Sequence, residues 1–117
     1  MQQKSKVLIV EDDRLLTLSL KEVLVSEGYL VEKAENASLA EPFLATTHLA
    51  VIDLRLPDKP GMQVLQELRQ VNPESETLIV TAYADMRSAI DAVNLGAFAY
   101  LEKPIKPENL LLFVKRA

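Results

Sequence analysis

Apolar residues along this chain gather in runs of four or five, and between the runs they recur every three or four positions. The first pattern suits short buried strands; the second suits helices with one apolar face. Val7-Leu8-Ile9-Val10 predicts a first strand, with a first helix behind it on Leu16, Leu20, Val23 and Leu24. Gly28 ends that helix, since glycine enters left-handed backbone without a Cβ penalty. Tyr29-Leu30-Val31 predicts a second strand, and Asn36 an N-cap. The stripe Leu39, Ala40, Phe43 and Leu44 predicts a second helix, although Pro42, beyond its first turn, removes a backbone donor.

Leu49-Ala50-Val51-Ile52 predicts a third strand ending in Asp53. Pro57-Asp58-Lys59-Pro60-Gly61 is turn material leading to a third helix on Met62, Leu65 and Leu68, closed by Asn72-Pro73. Strand four is Thr77 to Thr81; Met86, Ile90 and Val93 mark helix four, which Gly96 terminates. Phe98-Ala99-Tyr100-Leu101 is strand five, and Pro107 suits the first turn of a last helix that turns Leu110, Leu111 and Val114 inward. Five alternations of strand and helix predict a parallel sheet covered on both faces, because right-handed crossovers lay each helix against the sheet. The expected α/β architecture is a doubly wound, flavodoxin-like (βα)5 sandwich with strand order 2-1-3-4-5.

With 117 residues, 49% of them hydrophobic, the chain has material for one core, so a single domain over 1–117 is expected. A net charge of -4 argues against gripping a nucleic-acid backbone, which needs clustered Lys and Arg. The absence of cysteine and the single histidine, His48, exclude a thiolate or multi-histidine zinc site. His48 precedes strand three, away from the strand carboxyl ends, and reads as a solvated loop residue. The segment Met1 to Lys6 is followed by no apolar stretch of signal-peptide length, so the expected location is the cytoplasm, with no direct membrane contact.

In an open parallel sheet, ligands bind beyond the carboxyl ends of the strands, where strand order reverses. Strand one ends in Glu11-Asp12-Asp13, strand three in Asp53 and strand four in Thr81, while strand five runs through Glu102 into Lys103. If strands one and three are neighbours, Glu11, Asp12 and Asp53 converge, and their mutual repulsion calls for a bound cation. Oxygen ligands without sulfur or imidazole fit Mg2+, with Mn2+ as a substitute, and Lys103 adds a fixed positive charge. Taken singly, such residues are ordinary turn or cap residues, and Asp13 is the clearest cap candidate. Together they supply what phosphoryl transfer needs: Asp53 as nucleophile, a metal to offset phosphate charge, and Thr81 and Lys103 as donors to phosphate oxygens.

Val10-Glu11-Asp12, Asp53 followed by Pro57 and Gly61, Thr81-Ala82, and Tyr100 with Lys103-Pro104 resemble the response-regulator receiver domain, over about Lys6 to Arg116. The resemblance implies Glu11 and Asp12 as acidic metal-site residues, Asp53 as phosphoacceptor, the Arg55 backbone carbonyl as a further metal ligand, and Thr81 and Lys103 as phosphate contacts. It implies a cis peptide at Lys103-Pro104 and a switch in which Tyr100 responds to Thr81 and alters the face of helix four, strand five and helix five. A sensor histidine kinase or phosphotransfer protein is the implied donor. The altered face is expected to serve a homodimer, or an output domain in a longer multidomain transcription regulator from which this chain is cut. Glu11 stands where the family more often has Asp, and Asp13 stays open as an additional metal acid. A haloacid-dehalogenase-type phosphatase would want a second Asp two residues after the nucleophile, where this chain has Arg55. A nucleotide- or flavin-binding domain would want a Gly- or hydroxyl-rich loop in place of Glu11-Asp12-Asp13. A pseudo-receiver of the same fold that never takes phosphate is disfavoured by the intact acid, Thr and Lys positions.

Overall fold

The computed structural model describes residues 5–117 and opens with β1 (Lys6–Val10), α1 (Arg14–Ser26) and β2 (Leu30–Ala34). Met1–Lys4, the start of the amino-terminal segment considered above, lie outside the described residues. α2 (Ala37–Ala40) passes into a 3-10 turn (Glu41–Phe43), followed by β3 (Leu49–Ile52), α3 (Gly61–Val71) and β4 (Glu76–Thr81). α4 (Met86–Asn94), β5 (Ala99–Glu102) and α5 (Pro107–Arg116) complete the chain. The five strands are parallel, as the alternation predicts, and lie in the expected flavodoxin-like order β2-β1-β3-β4-β5.

Side chains leave a strand alternately to its two faces, so the sheet divides the core in two. Leu8, Val10, Ala50, Ile52 and Ile79 pack toward α2, α3 and α4, against Ala40, Leu65, Leu68 and Ala92. Val7, Ile9, Val51, Leu78 and Val80 pack toward α1 and α5, against Leu20, Leu24, Leu110 and Val114. Because both faces are covered, the central strands are apolar at successive positions and appear in the sequence as unbroken runs.

Three elements depart from their expected form. β2 starts at Leu30 and continues through Glu32 and Lys33 to Ala34, in register with the whole of β1 from Lys6↔Leu30 to Val10↔Ala34. As an edge strand it tolerates polar residues, so the apolar run ended before the strand did. α2 is capped by Asn36, whose Oδ1 accepts the Leu39 N–H at 2.8 Å, yet it gives way to the 3-10 turn at Pro42, which has no N–H to continue the ladder. Leu39 is consequently exposed while Ala40 and Leu44 are buried. α4 forms where expected, but Met86, Ile90 and Val93 face solvent at 79%, 52% and 65% exposure, and its buried residue is Ala92. The apolar stripe of α4 thus points away from the sheet, opposite to the usual sense of such a stripe.

The helix stops hold. Gly28 and Gly96, after α1 and α4, adopt φ of 94° and 88°. Among the described residues no helix is long and apolar enough to cross a membrane.

Candidate functional site

The strand order reverses between β1 and β3, so the chain leaves these neighbours in opposite directions and opens a crevice at their carboxyl ends. Ladder bonds run one residue past each strand and pin the backbone of the site. The Glu11 N–H donates to the Ala34 carbonyl and the Asp53 N–H to the Val10 carbonyl, both at 3.0 Å, and the Lys103 N–H to the Thr81 carbonyl at 2.8 Å. Gly61, the first residue of α3, supports the same place from behind. Its N–H donates to the Leu54 carbonyl at 2.8 Å, and a Cβ built on it would lie 2.0 Å from the Asp53 carbonyl oxygen.

One carboxylate oxygen each from Glu11, Asp12 and Asp53 lies within 4.8 Å of the others. Glu11 and Asp53 are buried and Asp12 is exposed. Lys103 Nζ bridges the two buried acids, bonding Glu11 Oε1 and, at 3.0 Å, Asp53 Oδ2. The remaining oxygens meet backbone donors, Asp13 N–H to Glu11 Oε2 at 3.3 Å and Arg55 N–H to Asp53 Oδ1 at 3.0 Å. Burial first, then contact with the Asp53 carboxylate, pushes the Glu11 carboxyl up to about 7 against the pull of Lys103. Burial works against the Lys103 ammonium, but Glu11 and Asp53 outweigh it and hold its pKa above the usual lysine value. Three hard oxygen donors with a single ammonium between them are a donor set suited to Mg2+.

Thr81 is fully buried at the end of β4, and its Oγ1 accepts the Tyr83 N–H at 3.1 Å. Tyr100, half-buried on β5, carries its hydroxyl to the start of α4, 2.5 Å from Ser88 Oγ, where it also accepts the Asp85 N–H at 3.3 Å. Asp13 caps α1, its Oδ1 accepting from Leu15 and Leu16 N–H at 3.1 and 3.2 Å. The Lys103-Pro104 peptide is cis. His48 is exposed before β3, with Nδ1 accepting the Lys6 N–H at 2.9 Å.

The family model of the response regulator receiver domain matches residues 7–115. The chain belongs to this family. It is 35% identical over 111 residues to the alginate biosynthesis transcriptional regulatory protein AlgB of Pseudomonas putida, which covers 93% of this chain and 25% of that protein. A CheY-like receiver domain protein of Methanospirillum hungatei has a TM-score of 0.92 and 34% identity, over 97% of this chain and 93% of that one. A Burkholderia pseudomallei response regulator solved with a phosphorylated aspartic acid, calcium ion and citrate has a TM-score of 0.85 and 28% identity, over 92% of this chain and 65% of that one. This receiver domain spans about a quarter of the length of the curated relatives it matches first.

Two features of this receiver carry no local sequence signal. Asp58, which reads as turn material, holds the first two N–H groups of α2, Ala37 on Oδ1 at 2.9 Å and Ser38 on Oδ2 at 3.0 Å. Those bonds, the Ala37 one foremost, lower its carboxyl to about 2. The Arg55 guanidinium lies over the Tyr83 ring, 3.7 Å from its centroid. These contacts join residues twenty or more positions apart, beyond any window in which periodicity or capping motifs operate.

Proposed function

We propose that this receiver accepts a phosphoryl group on Asp53 from a phosphohistidine of a sensor histidine kinase or phosphotransfer protein. The observation that supports it most is the buried Asp53 carboxylate facing Lys103 Nζ, inside a three-acid cluster at the crevice. A carboxylate oxygen of Asp53 attacks phosphorus, the phosphorus–nitrogen bond of the donor breaks, and the imidazole leaves with the electron pair. Thr81 Oγ and Lys103 Nζ donate to the phosphoryl oxygens, where fixed donors offset the charge that gathers there. Glu11, Asp12, Asp53 and the Arg55 carbonyl would hold Mg2+, or Mn2+ in its place, which when bound neutralises phosphate charge. The domain acts as a regulated acceptor and not as a turnover enzyme. The Burkholderia pseudomallei relative, described with a phosphorylated aspartic acid and a calcium ion, supports the same reading.

Phosphorylation then draws Thr81 toward the phosphate and changes the Tyr100 contacts with α4, shifting a two-state equilibrium of the face formed by α4, β5 and α5. The outward stripe Met86, Ile90 and Val93 gives that face an apolar patch for a second copy or a fused output domain. Intact mass after incubation with acetyl phosphate and Mg2+ tests the assignment. One phosphoryl group is expected on the native chain and none on Asp53→Asn; label retained in that variant places the acceptor elsewhere.

A further inference from the structure

Arg55 supplies the only backbone ligand in the metal set proposed above, and the site itself fixes it at one end only. Its N–H donates to Asp53 Oδ1 at 3.0 Å, but its carbonyl belongs to the next peptide, whose direction follows the loop over residues 54–60. That loop is closed at its base, where Arg55 pairs with Pro60 and the Gly61 N–H donates to the Leu54 carbonyl at 2.8 Å. Leu54 and Leu56 rest on the core beneath, while Arg55, Pro57, Asp58 and Pro60 are exposed. A loop closed at its base can still swing about it. Here the tip is tied as well, since Asp58 takes the Ala37 N–H on Oδ1 at 2.9 Å and the Ser38 N–H on Oδ2 at 3.0 Å.

The anchor for this tie is firm. Ala37 is 3% exposed and lies just past β2, whose last residue, Ala34, accepts the Glu11 N–H at 3.0 Å. Glu11 and the loop tip are thus both bound to the stretch 34–38. α2 itself has little need of the bonds: it is four residues long and has its own cap in Asn36, which takes the Leu39 N–H at 2.8 Å. A further link, Lys59 Nζ to Glu41 Oε1 at 3.7 Å, joins side chains 39% and 56% exposed and holds weakly.

We propose that Asp58 is a positioning residue for the metal: by tying the tip of loop 54–60 to the start of α2, it holds the Arg55 carbonyl where that oxygen can join Glu11, Asp12 and Asp53 around Mg2+. This rests on the reading of that carbonyl as a metal ligand. A ligand that must be ordered as the ion arrives weakens binding by the cost of ordering it, whereas a ligand held in advance does not. Partners that orient a ligand from behind typically govern metal affinity by a factor of about ten or more.

The test is a Mg2+ titration of the native chain, Asp58→Ala, Asp58→Asn and Asn36→Ala, followed by the amide chemical shifts around Asp53 with no phosphoryl donor present. Asp58→Ala is expected to bind Mg2+ about ten-fold more weakly. Asp58→Asn keeps a side-chain carbonyl for one of the two N–H groups and should stay close to the native affinity, because Asn and Asp serve almost equally as acceptors at helix starts. Asn36→Ala loosens α2 from its other cap, leaves the tie intact and should bind as the native chain does. Labelling by acetyl phosphate should divide in the same way: Asp58→Ala needs about ten-fold more Mg2+ for its half-maximal rate, yet reaches the native rate at saturating ion. Native affinity in Asp58→Ala, equal weakening in Asn36→Ala, an Asp58→Asn as weak as the alanine variant, or a rate that stays low at saturating ion overturns the tie while leaving the metal site in place. A native chain whose shifts ignore Mg2+ overturns the metal reading, and the tie with it.

Discussion

Replacing Glu11 by Gln should stabilise the metal-free protein at alkaline pH, an unusual result for deleting half of an ion pair. The folded protein holds the Glu11 proton up to about 7, against 4.5 ordinarily, because burial and the neighbouring Asp53 disfavour the carboxylate. A carboxyl whose folded pKa is raised contributes stability that is fully present below its unfolded pKa and is lost as pH rises through the folded one. The window therefore runs from about 4.5 to about 7, and across it the native chain loses about 3 kcal/mol, at about 1.36 kcal/mol per decade of pH. Between about pH 5.5 and pH 8.5 the loss is about 2 kcal/mol, or about 8 °C in Tm for a domain of this size. Gln cannot ionise, so the variant's melting curve should lack this decline and cross above the native one on the alkaline side. Asp58 titrates at about 2 and Lys103 above its ordinary 10.5, so neither contributes within the window. The assay is thermal unfolding by circular dichroism in chelator across that range, repeated with Mg2+. The ion should raise the native Tm more at high pH, where the acid is ionised, and the Gln variant less at every pH. Parallel pH profiles for the two proteins would refute the reasoning, because they would mean that Glu11 is ionised throughout.

Two further perturbations address the elements around the site. Asp58→Ala removes the acceptors for Ala37 and Ser38 and should speed amide exchange at both while the Asn36 bond to Leu39 persists; in the native chain those amide shifts should titrate near about 2, since a lowered carboxyl gives stability that is lost as pH falls through its folded value. Tyr100→Phe deletes the hydroxyl that joins Ser88 Oγ and the Asp85 N–H and should lower denaturant stability by about 1 kcal/mol, with the faster exchange confined to α4; an unchanged α4 would remove Tyr100 from the proposed switch.

The sheet was legible because burial on both faces writes the central strands as runs such as Val7-Leu8-Ile9-Val10, and the site because polar residues at strand ends interrupt those runs abruptly. β2 extends beyond its apolar run because an edge strand need not be apolar, and its length is set by pairing with β1. The direction of the α4 stripe was not readable, because periodicity reports that one face differs from the other and is silent on which one meets the sheet. The backbone donors that orient the acids, such as Arg55 N–H on Asp53 and Asp13 N–H on Glu11, have no residue signature at all. The Asp58 and Tyr83 contacts arise from loop packing, which only the assembled fold defines.

Gly61 offers no functional group, yet even a methyl group on its α-carbon would collide with the backbone of Asp53 and Leu54. A saturation scan scored on signalling output should therefore rank position 61 beside Asp53, the proposed phosphoacceptor, for a reason of volume alone. Scoring cellular abundance in the same library would part the two. Substitutions at 61 should deplete the protein itself, whereas those at 53 should leave it plentiful and mute.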